Sequence, residues 1–110
     1  MYVLRVNNLK LFIDDTRQVP YGFILAKSVE EALKECKHQQ FEQISLDYNL
    51  GFRKQNGLDF IKRFIAEGYY VPHINLHSDD SIGVFKMENE IKSFIIEEKK
   101  QKTKITKISY

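Results

Sequence analysis

The sequence predicts an α/β domain in which helices cover a parallel sheet. Four short, almost wholly apolar runs have the length and composition of buried parallel strands. Each of the last three is followed by a segment whose apolar residues recur at helical spacing, and this alternation favours a parallel sheet. Three of the four runs also end in ionisable residues, and open α/β sheets bind ligands beyond the carboxyl ends of their strands.

The first two predicted strands flank a loop. Residues 9–13 are mostly apolar and end abruptly at two acidic residues, as a buried parallel strand does. Pro20, Tyr21 and Gly22 mark the loop, and residues 23–26 make a short second strand. Residues 1–6 are either an additional strand or a lead-in to the first.

Two predicted helices begin with side-chain caps. Ser28 and Glu31 predict a capping box, in which each side chain accepts a hydrogen bond from the other residue's backbone N–H. Asn56, with Asp59 three residues later, opens the second helix, and Gly68 ends it.

The rest of the chain completes the predicted sheet. Gln43–Leu46 is the third strand and His73–Leu76 is the fourth. Beyond Ser81, apolar positions trace a third helix. Residues 103–110 alternate lysine with isoleucine and threonine, which predicts a late edge strand whose lysines discourage pairing with other molecules.

The composition predicts one domain over residues 1–110. Of the 110 residues, 43% are apolar and 13% aromatic, enough for one core. The lone Cys36 cannot form an internal disulfide, which indicates a reducing compartment. The sequence has no apolar run of about 20 residues and no signal-peptide pattern, so we expect a cytoplasmic protein without membrane association.

The C-terminal tail, residues 99–110, is basic although the net charge of the chain is only +2. Its lysines either attract phosphate groups or are ordinary solvated charges near the end of a helix. A tail that forms an edge strand also offers a route to a homodimer. We expect no sequence-specific recognition of DNA.

Three aspartates are the principal candidate site. Asp14 and Asp15 end the first strand and Asp47 ends the third, so these carboxylates converge at one edge of the sheet. Because clustered carboxylates repel one another, a cation is expected among them, and oxygen ligands suit Mg²⁺. The alternative is that each aspartate only caps the loop that follows its strand.

Other polar residues are expected at the same edge. Arg17 either clamps a phosphate or pairs with Asp15 or Asp47. His77 is a candidate general acid or base, and the alternative is a structural imidazole. Ser78 can donate a hydrogen bond to a phosphate oxygen.

A turn before the second helix adds a further candidate. Asn56 and Gly57 either aim free N–H groups at an anion or form a plain turn. After the third strand, Gly51 is expected to adopt a positive φ angle.

At these residues the chain resembles the cyclic-phosphate-processing receiver-like family, a compact relative of two-component receiver domains. The resemblance covers roughly residues 9–92. Four motifs carry it in order: residues 14–17 resemble the family's DDxR, residues 45–51 its SLDHDLG, residues 56–59 its TGxD, and His77, Ser78, Gly83 and Met87 its HSxN…G…M segment. Tyr48 and Asn49 stand where the family has His and Asp, and Asp80 stands where it has Asn.

The resemblance implies a receiver-like fold and the processing of cyclic phosphates, for instance 2′,3′-cyclic ends during RNA repair. The expected activity is that of a Mg²⁺-dependent phosphoesterase on RNA ends or small nucleotides, in which Asp14, Asp15 and Asp47 hold the metal, Arg17 and Ser78 hold the phosphate, and His77 protonates the leaving oxygen.

Two other functions stay open from the sequence. One is nucleotide binding without catalysis, favoured by the altered loop after Asp47. The other is a signalling receiver in which Asp47 accepts a phosphoryl group. Receivers use a lysine after the fifth strand, for which Lys104 and Lys107 are the candidates.

Overall fold

A five-stranded parallel sheet organises the computed structural model, which describes residues 9–110. The strands lie in the order β2-β1-β3-β4-β5. They are β1 (Lys10–Ile13), β2 (Ile24–Ala26), β3 (Gln43–Leu46), β4 (His73–Leu76) and β5 (Lys104–Thr106). The helices are α1 (Val29–His38), α2 (Gly57–Ala66) and α3 (Ser81–Glu90), and a π-helical segment, Ile91–Glu98, continues α3.

The predicted α/β class and parallel sheet are confirmed. The late edge strand is also present, although it is shorter than residues 103–110. It pairs in parallel with β4, so the tail completes the sheet of its own chain. The predicted strand or lead-in over residues 1–6 lies outside the described residues.

All three α-helices lie on one face of the sheet, which differs from a doubly wound arrangement. The crossovers from β2 to β3, from β3 to β4 and from β4 to β5 all move in the same direction across the sheet. Because such crossovers are right-handed, the helices of crossovers that move in the same direction all lie on the same face of the sheet. The connection from β1 to β2 runs the other way, but residues 14–23 form a loop without a helix.

The hydrophobic core fills the space between the sheet and these helices. Alternate strand residues point into it, among them Leu11, Ile44 and Ile74, which are neighbours across three strands. The buried stripes of the helices, such as Phe60, Phe64 and Met87, cover them. This burial supplies the main stabilisation of the fold.

The opposite face of the sheet carries a row of four side chains, which we call the buried polar row because three of them are polar. Phe12, Ser45, Asn75 and Thr106 are successive neighbours across four strands. The first three are completely buried. The C-terminal tail packs here, and the Tyr110 ring contacts the Phe12 ring edge-on at 6.1 Å between centroids.

The two predicted helix caps are present with one difference. Asn56 and Asp59 make both bonds of a capping box. At α1, the Ser28 hydroxyl accepts from the Glu31 N–H at 3.1 Å as predicted, but the Glu31 carboxylate accepts from Lys27 instead of Ser28, at 2.9 Å. The capping box predicted at Ser28 is therefore only half formed.

Gly51 has the positive φ angle expected of it, 117°, and Gly68, which follows α2, has a φ angle of 81°. Among the described residues, no helix has the length and apolar character needed to cross a membrane.

Candidate functional site at the carboxyl edge of the sheet

The register of the strands explains how three polar side chains meet. Asp14, Asp47 and His77 each lie two residues beyond a member of the buried polar row, on β1, β3 and β4 respectively. Side chains two apart in a strand point to the same face. The ladder also continues to these positions, because Asp47 N–H donates to Ile13 and His77 N–H donates to Leu46. The three side chains therefore share one face and one edge.

Asp14 uses its two carboxylate oxygens differently. Oδ1 accepts from the backbone N–H groups of Thr16 and Arg17, both at 2.9 Å, and so caps the loop after β1. Oδ2 lies 2.9 Å from Nε2 of His77. The loop-capping alternative raised by the sequence is thus real for Asp14, and it coexists with a contact to the imidazole.

His77 is engaged on both ring nitrogens. Its side chain is fully buried, and its ring stacks on Phe12 with 4.3 Å between centroids. Nδ1 lies 2.7 Å from the Ser45 hydroxyl. Since Asp14 is the acceptor at Nε2, the neutral ring carries its proton there and Nδ1 accepts from Ser45.

Behind Ser45 the network continues to the tail through Asn75. The Asn75 amide donates to the Ser45 oxygen at 3.0 Å and to the Ile108 carbonyl at 2.8 Å. Its oxygen accepts from the Thr106 hydroxyl at 2.6 Å and from the Ile108 N–H at 2.8 Å. Ser45 is completely buried in this chain, so it is a structural partner of His77 and no nucleophile.

The electrostatics of the pair favour an ionised Asp14 beside a neutral His77. Burial opposes ionisation of Asp14, but the N–H groups of Arg17 and Thr16, together with His77, outweigh it and lower the pKa of Asp14. Burial lowers the pKa of His77, although the hydrogen bond to Asp14 acts in the opposite direction. A second proton on His77 would occupy Nδ1, so the Ser45 hydroxyl would lose the acceptor of its hydrogen bond.

The protonation of a leaving group by His77 stays a prediction, and the surroundings of the ring bear on it. A general acid must reach the reacting atom within hydrogen-bond distance. His77 is 2% exposed and both ring nitrogens are bonded inside the protein. Its position fits the structural alternative, in which the imidazole holds Asp14.

The surroundings of Asp47 destabilise its ionised form, unlike those of Asp14. Burial raises its pKa, the Ser78 hydroxyl lowers it by hydrogen bonding, and the nearby charge of Asp14 raises it further, so that the net shift is upward. The Tyr48 N–H donates to Oδ1 at 2.7 Å. Ionised Asp47 is thus a site at which a cation would relieve repulsion.

One group of candidate metal ligands is present among the described residues. Asp14, Asp47 and His77 offer ligand atoms that all lie within 4.8 Å of one another, a spacing at which they can hold a metal ion. The predicted set was Asp14, Asp15 and Asp47, so Asp15 is replaced in this group by an imidazole. The Asp15 carboxylate lies instead beside Gly51, 3.5 Å from where a β-carbon on that glycine would be.

An open cleft of about 520 Å³ adjoins the group, a size typical of small-ligand sites. Asp15 and Asp47 both line it, so the two carboxylates face a common space. The other lining residues come from the loops after β1 and β3: Thr16, Asn49, Gly51, Phe52 and Arg53. The residue pattern does not assign Thr16, Phe52 or Arg53 to the site, because only their loop conformations bring them there.

Arg17 and Ser78 border the same edge. The Arg17 guanidinium pairs with Asp79 at 3.0 Å and lies 3.6 Å from Asp14, so its partners are neither Asp15 nor Asp47. The Asp79 side chain is 93% exposed, so this ion pair is weak and another anion can replace the Asp79 carboxylate at Arg17. Ser78 bonds to Asp47 and accepts from the Asp80 N–H.

Asn56 and Gly57 do not present free backbone donors. The Asn56 N–H donates to Asp59 at 2.8 Å, and the Gly57 N–H donates to the Tyr48 carbonyl at 2.8 Å. A β-carbon on Gly57 would lie 2.3 Å from the Asp47 carbonyl oxygen. These residues form the plain turn left open as the alternative, and Gly57 lets α2 approach the backbone of Asp47.

Two of the three departures from the family pattern, Tyr48 and Asp80, have structural roles. The Tyr48 ring packs on Gly83, where a β-carbon would lie 2.3 Å from it. Asp80 is the N-cap of α3 and accepts from the Gly83 N–H at 2.9 Å, as an asparagine oxygen would. Tyr48 is therefore a packing residue, and the replacement at 80 preserves a cap.

The lysines considered for a signalling receiver lie elsewhere. Lys107 follows β5, but its ammonium group pairs with Glu88 on α3 at 2.8 Å. Lys104 begins β5 beside His73, at the opposite end of the strand from the carboxyl edge. Neither residue is held at Asp47.

Comparison with known proteins agrees with the motifs. A family model described as the cyclic-phosphate processing receiver domain matches residues 9–93, which include every strand except β5 and all three α-helices. A search of curated proteins finds no match. The compact α/β fold is accordingly receiver-like, and the chain belongs to the cyclic-phosphate processing receiver domain family.

Proposed function

We propose that this protein processes cyclic phosphate esters, on RNA ends or on small nucleotides, with a divalent cation at the carboxyl edge. The observation that carries the proposal is that Asp14 and Asp47 are close enough to hold one ion, beside a cleft that Asp47 and Asp15 line and that is large enough for a mononucleotide. Membership of the family supports a role linked to cyclic phosphates.

The residues at the edge fit a cation. Asp15 and Asp47 line the cleft, and Asp14, whose pKa is lowered, offers a ligand atom within 4.8 Å of one on Asp47. The raised pKa of Asp47 reflects its burial and the nearby charge of Asp14. Asp15 and Asp47 would hold the ion from the cleft, with Asp14 behind. Because His77 Nε2 is bonded to Asp14, the free ligands are oxygens, and this favours Mg²⁺. The ion would stabilise charge developing on the phosphoryl oxygens.

The other residues would bind and position the ligand. Arg17 can exchange exposed Asp79 for a phosphate oxygen, and the Ser78 hydroxyl can turn its proton from Asp47 to another phosphate oxygen. His77 would keep Asp14 in place and would neither donate nor accept a proton in the reaction. Addition of water across one P–O ester bond would open the ring, giving a phosphate monoester and a free ribose hydroxyl.

Turnover of a 2′,3′-cyclic nucleotide with Mg²⁺ tests the proposal. We expect ring opening by the wild-type protein, loss of activity in Asp47→Asn and Asp15→Asn, and full activity in Glu97→Gln, an equivalent change at an exposed position outside the site. Equal activity in Asp47→Asn and the wild type would overturn the assignment of the site.

A second candidate is binding of the cyclic phosphate without turnover. The observation that favours it is the burial of His77, which leaves the cleft lining without an imidazole. Calorimetry distinguishes the two functions. Saturable, Mg²⁺-dependent binding with no product after long incubation would establish sequestration, whereas product formation at the same site would exclude it.

A further inference from the structure

We propose that Phe52 is a stacking platform for the nucleobase of the ligand, with Arg53 supporting its ring. This inference rests on the proposed function, because it places the base relative to a phosphate at Asp15 and Asp47. It narrows the ligand class to nucleotides or RNA ends, as opposed to cyclic phosphates that lack a base.

Phe52 combines high exposure with a place in the cleft. It is 86% exposed, whereas Phe60 and Phe64 on the following helix are buried in the core. It lines the same cleft as Asp15 and Asp47. A phosphate held by these carboxylates and their cation would therefore leave the attached nucleoside within reach of the ring.

The backbone holds Phe52 in a defined turn. The Lys54 N–H donates to the Gly51 carbonyl at 3.2 Å, so Phe52 and Arg53 occupy the two central positions. Gly51 has φ 117° and Arg53 has φ 59°. The left-handed conformation is uncommon for a residue with a side chain. Adopting it allows the turn to direct both side chains to the rim of the cleft.

Arg53 prepares the ring for a planar ligand. Its guanidinium carbon lies 5.1 Å from the centroid of the Phe52 ring, a cation–π contact. The guanidinium thus lies over one face of the ring, and the high exposure of Phe52 leaves the ring accessible to an incoming base. Aromatic rings beside positive charge are the usual means by which proteins bind unpaired bases.

The surroundings favour a nucleobase over a larger apolar partner. The remaining cleft residues are polar or glycine, including Thr16 and Asn49. A single aromatic ring at the edge of a polar cleft matches a nucleotide, which has one flat apolar part and one charged part. A peptide or lipid would require a continuous apolar surface.

Affinity measurements with and without a base test the inference. The probes are 2′,3′-cyclic AMP and methyl riboside 2′,3′-cyclic phosphate, which lacks the base, each with Mg²⁺. The readout is the Kd from calorimetry, or kcat/KM where the probe turns over. The variants are Phe52→Ala, Phe52→Tyr to retain stacking, and Tyr21→Ala, a control at another highly exposed aromatic that does not line the cleft.

We expect Phe52→Ala to weaken the nucleotide about 5- to 150-fold, the range for loss of one base stack. The base-free probe should be unaffected, and Phe52→Tyr and Tyr21→Ala should behave as the wild type. Unchanged nucleotide affinity in Phe52→Ala, or an equal loss for both probes, would overturn the stacking role and leave the proposed function intact. Failure of the wild type to bind either probe would overturn the proposed function and this inference together.

Discussion

Nε2 of His77 lies 2.9 Å from Oδ2 of Asp14, and both side chains are completely shielded from solvent. This contact links the candidate site, to which Asp14 belongs, to the C-terminal tail. The link runs from His77 through Ser45 and Asn75 by hydrogen bonds. The imidazole is thereby a fixed support for a carboxylate, and the tail contributes to the site without entering it.

Asp47→Asn should raise the Tm of the metal-free protein and abolish its stabilisation by Mg²⁺. Because the pKa of Asp47 is raised, its charged form is destabilised by the fold at neutral pH, and the neutral amide should raise the Tm without metal. Mg²⁺ at about 100 times its Kd should stabilise the wild type by about 2.7 kcal/mol and leave the variant unchanged.

Thermal unfolding with Mg²⁺ or with EDTA measures both effects, with Glu97→Gln as the control that responds like the wild type. A Mg²⁺ response retained in Asp47→Asn would place the cation elsewhere.

His73 and His77 should each make the protein less stable as the pH falls below 6.5, the usual pKa of histidine, whereas Asp47, whose pKa is raised, acts in the opposite direction. The pKa of His77 is lowered by burial, and that of His73 is lowered by burial and by Lys104 and Lys10. Below pH 6.5 the unfolded chain therefore takes up protons that the folded chain refuses, and the free energy of unfolding falls. The loss approaches about 1.4 kcal/mol per pH unit for each such histidine, until the pH reaches its pKa in the folded state.

Urea unfolding between pH 7.5 and 5.5 gives this slope. His77→Gln should reduce it by the contribution of one group. An identical slope in the variant would mean that His77 titrates alike in the folded and unfolded states.

Asn75→Ala should destabilise the protein by about 2–4 kcal/mol. The substitution removes four hydrogen bonds, so that buried Ser45 and the partly buried polar groups of Thr106 and Ile108 each lose a partner. Urea unfolding measures the loss, and Asn49→Ala, an exposed change of the same kind, should stay within about 0.5 kcal/mol of the wild type. A loss below about 1 kcal/mol would show that the network contributes little to stability.

Gly57→Ala should disturb the site through the backbone. The added β-carbon would meet the Asp47 carbonyl at 2.3 Å and the Met87 sulfur at 2.7 Å, so α2 or the loop after β3 must move. Overpacking of this kind costs about 1–3 kcal/mol. We expect lower stability and weaker Mg²⁺ binding together. A Gly68→Ala variant, where the β-carbon meets nothing within 4 Å, is the comparison for backbone strain alone.

Much of the fold was predictable because its strands are short apolar runs with polar ends and its helices carry caps. The sequence did not reveal the polar row: Ser45 and Asn75 are single polar residues within apolar runs, and their pairing depends on strand register. The one-sided arrangement of the helices follows from strand order and handedness, which residue patterns do not show.

The candidate site was predictable in position and less so in detail. Asp14, Asp47 and His77 follow their strands and meet as expected. The burial of His77 and the diversion of Arg17 to Asp79 depend on side-chain packing. Phe52 and Arg53 reach the cleft only through the conformation of a turn.

A crystal structure of the protein soaked with Mg²⁺ and a 2′,3′-cyclic nucleotide would show whether a cation binds at the carboxyl edge. We expect metal density between the carboxylates of Asp15 and Asp47, with Asp14 nearby and the phosphate against the ion. Saturating ligand bound at another surface, with no density between these carboxylates, would contradict it.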